Sequence, residues 1–146
     1  MSGPAGSEGA PGPVMRGLRF ARHGGPEVLS WDEVPTPVPG PGELLVRVSA
    51  FAVNWADLLE REGRYPGAPQ PPYVTGHDLT GVVVAAGPHT QGPPPGTRVF
   101  GVIPRGGAAA QYTAAPAEQL YPAPDALDDA QAAGAAGPYL TADVAI

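Results

Sequence analysis

The chain contains no cysteine and no lysine. Without thiols it has no disulfide, and no thiolate is available to hold zinc or an iron–sulfur cluster. That suits a cytoplasmic protein. All eight basic residues are arginine; with fourteen acids they leave a net charge of −6. The arginines are scattered, so the basic footprint of a nucleic-acid or anionic-membrane binder is missing. No apolar run approaches the roughly 18 residues of a membrane span. The first residues lack the positive start and apolar stretch of a signal peptide. Nucleotide fingerprints are also absent. The run from Gly101 to Ala108 lacks the lysine and hydroxyl of a phosphate-binding loop. The run from Gly134 to Gly137 opens no strand–helix–strand unit. No internal repeat is visible.

What is abundant is glycine and proline, 21 of each in 146 residues. Part of this is a tail, residues 1–14, with almost nothing to bury, and composition predicts disorder there. The other glycines and prolines punctuate apolar runs of strand length, which points to a β-rich fold with many turns. Strands are expected at 16–21, 28–34, 43–53, 82–86, 97–103 and 109–114. The proline-rich stretch 35–42 cannot donate a regular ladder and must cross the surface. After Leu127 the pattern changes. Asp128 and Asp129 head an alanine-rich helix over 130–136. Gly137-Pro138 is expected to break it, with Pro138 opening a second helix, 139–146. The reading is a mainly β domain at 15–126, followed by helices over 127–146.

The stretch from Val53 to Pro66 holds the densest chemistry. It joins the longest apolar strand to a short helix that Gly63 and Pro66 shut down. Asn54 suits an N-cap, and Asp57 sits in the favoured first turn. Asn54, Asp57, Arg61 and Tyr65 recur about every four residues, so their polar tips can look one way. A capped helix with a solvated face fits the same spacing.

Six segments in order resemble the medium-chain dehydrogenase/reductase superfamily, and more narrowly the zinc-independent quinone oxidoreductases related to ζ-crystallin. They are His23-Gly-Gly-Pro-Glu-Val-Leu29; Asn54-x-x-Asp57-x-x-x-Arg61-x-Gly63-x-Tyr65-Pro66; Gly76-His-Asp-x-x-Gly-Val-Val83; Gly96-Thr-Arg-Val-Phe-Gly101; Gly106-Gly-Ala-Ala-Ala-Gln-Tyr112; and Gly137-Pro-Tyr-Leu-Thr-Ala142. The resemblance implies a GroES-like, partly open β-barrel. It also implies a Rossmann domain, expected beyond Ile146 or on a second chain, with NADPH in the cleft between the two.

For this family the resemblance implies hydride transfer from NADPH to a quinone or an activated alkene. It nominates Asn54 and Tyr65 as catalytic and as cofactor contacts, and Thr141 as a cofactor contact at a helix head. Asp57, Arg61 and His77 are expected to brace the site, Arg61 by pairing with Asp57 at i+4. Trp55 and Tyr73 are expected as apolar cleft or core residues, and His23 and His89 as solvated turn residues. Zinc-dependent relatives carry Cys at the positions matching Asn54 and Gly137 and His at the one matching His77. Only the His is kept, so no metal is expected. Homodimers are common in the family. The competing readings are a non-catalytic GroES-like binding module and, less favoured, a zinc alcohol dehydrogenase.

Overall fold

The computed structural model describes residues 11–145. Strand β1, Val14–Phe20, turns through 21–25 and a single 3-10 turn, Pro26–Val28, into β2, Leu29–Pro35. After the proline-rich connection come β3, Glu43–Ala52, and the short helix α1, Trp55–Arg61. Strands β4, Tyr73–Val74, β5, Asp78–Ala86, β6, Arg98–Val102, β7, Tyr112–Pro116, and β8, Leu120–Pro122, follow. Helix α2, Asp129–Gly134, passes through a π-helical turn, Ala135–Tyr139, into helix α3, Leu140–Ala145.

Among the described residues every strand pairing is antiparallel, in two sheets ordered β2-β1-β4 and β7-β3-β5-β6-β8. The sheets meet at the Gly17–Ala110 bridge and do not close into a barrel. The main core lies on the larger sheet, with Leu44 and Val46 of β3 against Leu79, Val83, Val99, Ile103 and Leu120. Helix α2 packs on β3 and β5 through the buried Ala132 and Ala133. It is capped as its sequence suggests: Gln131 N–H donates to Asp128 Oδ1 at 2.8 Å, and Asp128 N–H donates to Gln131 Oε1 at 3.0 Å. The middle of β3 is therefore covered on both faces, and Leu44, Leu45 and Val46 are all buried. A strand covered on both sides needs apolar residues in succession, not in alternation.

Several boundaries differ from the sequence reading. β5 begins at Asp78 instead of 82, because the turn before it is complete at Gly76. β7 begins at Tyr112, after a buried coil through Ala108 and Ala109. Residues 73–74 and 120–122 had no assigned strand role, yet they pair with β1 and β6. Gly137-Pro138 does not break the helix: the chain widens into the π turn with Pro138 inside it. A wider turn shifts the hydrogen-bond pattern around a residue that has no N–H to give. Of the expected disordered tail, residues 1–14, the first ten lie outside those described. Its end is held, however: the Pro13 carbonyl accepts from Thr36 N–H at 3.0 Å and Val14 pairs with Pro35. Among the described residues no helix is long and apolar enough to cross a membrane.

Candidate active site

β3 delivers the chain to Asn54, which adopts an extended conformation and caps α1. The Asp57 carboxylate reaches back to Asn54 N–H at 2.7 Å, the return arm of a capping box. The seven residues of α1 then divide into two sides.

The underside carries two acids, Asp57 and Glu60, only 8% and 2% exposed. Burial of a carboxylate is costly unless its oxygens are satisfied, and here they are. Asp57 Oδ1 accepts from Gly76 N–H at 3.2 Å and from the Thr75 hydroxyl at 3.3 Å. Gly76 has φ +90°, and a Cβ there would lie 2.7 Å from Ala109 N, so glycine alone lets the backbone come this close. Glu60 accepts from Tyr73 O–H at 3.1 Å and lies 2.9 Å from His77 Nε2. His77 Nδ1 is 2.8 Å from the Ile103 carbonyl. A carbonyl only accepts, so Nδ1 carries a hydrogen. Nε2 faces a carboxylate, so an imidazolium satisfies both partners. Burial opposes that charge. The hydrogen bonds to Glu60 and Ile103 and the charges of Glu60 and Asp57 outweigh it, raising the His77 pKa above its ordinary 6.5. Burial, then the Glu60 charge and hydrogen bond, raise the Tyr73 phenol as well.

The other side opens on a cleft of about 590 Å³, within the range of small-molecule sites. Asn54, Tyr65, His77, Asp78, Gly137 and Thr141 line it. Trp55 and Tyr65 stand exposed at its edge, at 71% and 43%. Asp78 is 1% exposed, and its Oδ2 accepts from Asn54 Nδ2 at 2.7 Å. Burial raises the Asp78 pKa, against the opposing pull of that hydrogen bond.

The cleft thus gathers Asn54, Tyr65, His77 and Thr141, which β3, the loop after α1, β5 and α3 bring from distant parts of the chain. Asp57 and Arg61 are not with them. They line a separate crevice of about 160 Å³ beneath the helix, so the four-residue spacing does not aim the polar tips one way. Nor does Arg61 pair with Asp57, whose oxygens are turned to Asn54, Thr75 and Gly76. Arg61 Nε donates instead to the Gly24 carbonyl at 3.2 Å and ties α1 to the first turn. His23, expected in solvent, donates from Nδ1 to the Glu60 carbonyl at 3.0 Å. Trp55 is an exposed rim residue, and Tyr73 packs on Phe20 with centroids 4.7 Å apart. Glu60 escaped the sequence reading. Its signal was the i+3 spacing from Asp57 on a helix with leucines between them, together with a histidine that lacked an assigned partner.

The residues present do not fit a catalytic zinc. At the three matching positions stand an amide committed to Asp78, an imidazole with both nitrogens engaged, and a glycine. A Cβ on Gly137 would lie 2.5 Å from Asp78 Oδ2, which leaves no room for a liganding side chain. Possible ligand atoms of Asp57, Glu60 and His77 do fall within 4.8 Å of one another, but these are the paired groups of the underside.

The profile described as the alcohol dehydrogenase GroES-like domain matches residues 40–125. Quinone oxidoreductase of Sus scrofa is 36% identical over 134 residues, which cover 91% of this chain and 41% of that protein. The crystal structure of human synaptic vesicle membrane protein VAT-1 homolog-like protein superposes with a TM-score of 0.86 at 32% identity, covering 91% of this chain and 43% of its own. Escherichia coli quinone oxidoreductase complexed with NADPH gives a TM-score of 0.76 at 30% identity, covering 82% of this chain and 36% of its own. The chain therefore spans about two fifths of the curated relatives it matches.

Proposed function

The chain belongs to the alcohol dehydrogenase GroES-like domain family, and from that premise we propose that it is the substrate-side domain of an NADPH-dependent quinone or enone oxidoreductase. The observation that carries this reading is the convergence of Asn54, Tyr65 and Thr141 on one open cleft floored by the buried Asp78. The proposal takes residues 15–126 as this domain and 127–146 as the start of its link to a Rossmann domain, in cis or in trans. That domain would grip the pyrophosphate.

When bound, NADPH supplies the hydride. The residues of this chain position and exclude. The Asn54 amide donates a hydrogen bond to the oxygen of the acceptor or to the ribose beside the nicotinamide. Tyr65 walls the cleft with its ring and offers its O–H to the reduced oxygen. Thr141, in the first turn of α3, presents a hydroxyl from the opposite wall. Trp55 shields the cleft from water once the second domain closes over it. No step is assigned to a metal. The proposal also places the protein in the cytoplasm and allows the homodimers common in its family.

A second reading is a non-catalytic binding module of the same fold. The test is NADPH-dependent reduction of 1,4-benzoquinone by this chain alone and fused to the dinucleotide-binding domain of a quinone oxidoreductase relative. The reductase reading expects negligible turnover alone and measurable turnover when fused, reduced at least tenfold by Asn54→Ala. Turnover in the fusion that ignores Asn54, Tyr65 and Thr141 alike would defeat it.

A further inference from the structure

Asn54 is an amide, and an amide has two ends of nearly equal size and opposite polarity. Whether it offers a ligand an N–H or a lone pair depends on which way the amide is turned and which of its atoms are already engaged. Here the neighbour that turns it is Asp78, whose Oδ2 lies 2.7 Å from Asn54 Nδ2. An ionised carboxylate only accepts, so it selects the nitrogen end. Asp78 itself has little freedom. It opens β5, pairs in register with Ala52 and Val102, and is 1% exposed. Its two oxygens lie against Gly137 of the π turn, where a Cβ would stand 2.5 and 2.7 Å from them. Three distant segments therefore combine to hold one amide in one orientation.

We propose that Asp78 is the positioning residue of the cleft. Seated against Gly137, it pins the Asn54 amide with the nitrogen toward the β5 carboxylate, while the capping box turns the amide oxygen to the Asp57 backbone N–H, so Asn54 meets the ligand with its second N–H. The –NH2 group has two hydrogens in a fixed plane. One goes to Asp78; the second is left for an oxygen of the ligand. A flipped amide would meet a carbonyl-bearing ligand with its own carbonyl oxygen, and the two would repel. The ligand class this selects is a hydrogen-bond acceptor, such as a ketone, quinone or ribose oxygen, over a donor. The inference deepens the proposed reductase reading and rests on it for the identity of that ligand. The orientation itself does not depend on that reading.

The experiment separates the two. In a 15N spectrum of the 146-residue chain, the two Asn54 side-chain protons should be widely split, one shifted downfield by the carboxylate. Asp78→Asn, which is nearly isosteric, should narrow that splitting, and Gly137→Ala should do the same by displacing the carboxylate. An Asn54 amide that looks like a solvated one in the wild type, or is unchanged in Asp78→Asn, overturns the proposal. The exchange Asn54→Asp/Asp78→Asn restores a donor–acceptor pair with reversed polarity. It should recover the melting temperature that Asp78→Asn loses. In the fused enzyme it should leave kcat at least tenfold down, with the KM for NADPH changed less than threefold. Recovery of kcat together with stability would make Asp78 a merely structural partner and sink the proposal. A wide Asn54 splitting in the wild type, with no quinone turnover in the fusion, supports the positioning role and counts against the reductase reading.

Discussion

The two sides of α1 use the same kinds of residue to opposite ends. Beneath the helix, Asp57, Glu60, Tyr73 and Thr75 each find a partner in one another, in backbone or in His77, which reaches from this network to the cleft. Above it, Tyr65, Trp55 and Thr141 are exposed to the cleft, and the Asn54 amide nitrogen reaches inward to Asp78. A closed network satisfies itself and contributes to stability. An open one keeps hydrogen-bonding capacity for something that arrives later. The difference teaches that polarity alone does not mark a functional residue; unspent polarity at a concave surface does.

The largest effect belongs underneath. Glu60→Ala removes the partner of His77 and of the Tyr73 hydroxyl. Breaking a buried pair costs about 3–5 kcal/mol, and because His77 can shed its proton we expect the low end, about 3 kcal/mol. Urea unfolding of the purified chain measures this; a loss under 1 kcal/mol would mean the network is not the brace it looks like. Next comes Gly137→Ala, where the new methyl must displace the Asp78 carboxylate. Overpacking of this kind costs about 1–3 kcal/mol, and thermal melts should show it.

The third effect is on pH. The folded His77 pKa is raised above 6.5, so its contribution to stability is complete below that value. It is lost as pH rises through the higher folded value. Asp78 is also raised, so it too favours the fold less as pH climbs, in a window starting nearer 3.8. One proton gives a slope of at most about 1.4 kcal/mol per pH unit. His77→Gln should flatten the fall that begins above pH 6.5; an unchanged slope in that variant would assign the titration elsewhere. Smallest in stability is Tyr65→Phe, expected within about 0.5 kcal/mol as a surface change. In the fused enzyme it should still lower turnover more than Arg64→Ala does. Arg64 is exposed, and its side chain pairs with Glu62.

The antiparallel β fold was legible because its signals are local. Leu44 and Val46 mark a strand wherever they sit, and Asp128 with Asp129 mark a helix start. Asn54 and Tyr65 were found through motifs, and the structure puts both in the cleft. What stayed hidden was long-range. Glu60 was passed over, because its partners Tyr73 and His77 come to it from the loop and sheet beyond. Arg61 looked like the partner of Asp57, because spacing on a helix cannot reveal that Gly24 lies closer. Gly137-Pro138 looked like a break, because nothing local to them announces the Asp78 carboxylate pressed against that turn.

The central claim is the division between the two sides, and ligand titration of the 15N-labelled chain tests it most directly. NADPH, and separately 1,4-benzoquinone, added to millimolar concentration should shift the signals of Asn54, Trp55, Tyr65 and Thr141. Those of Glu60, Tyr73 and Thr75 should stay in place. Shifts confined to the underside, or no shift at the cleft residues with either ligand, would contradict the account.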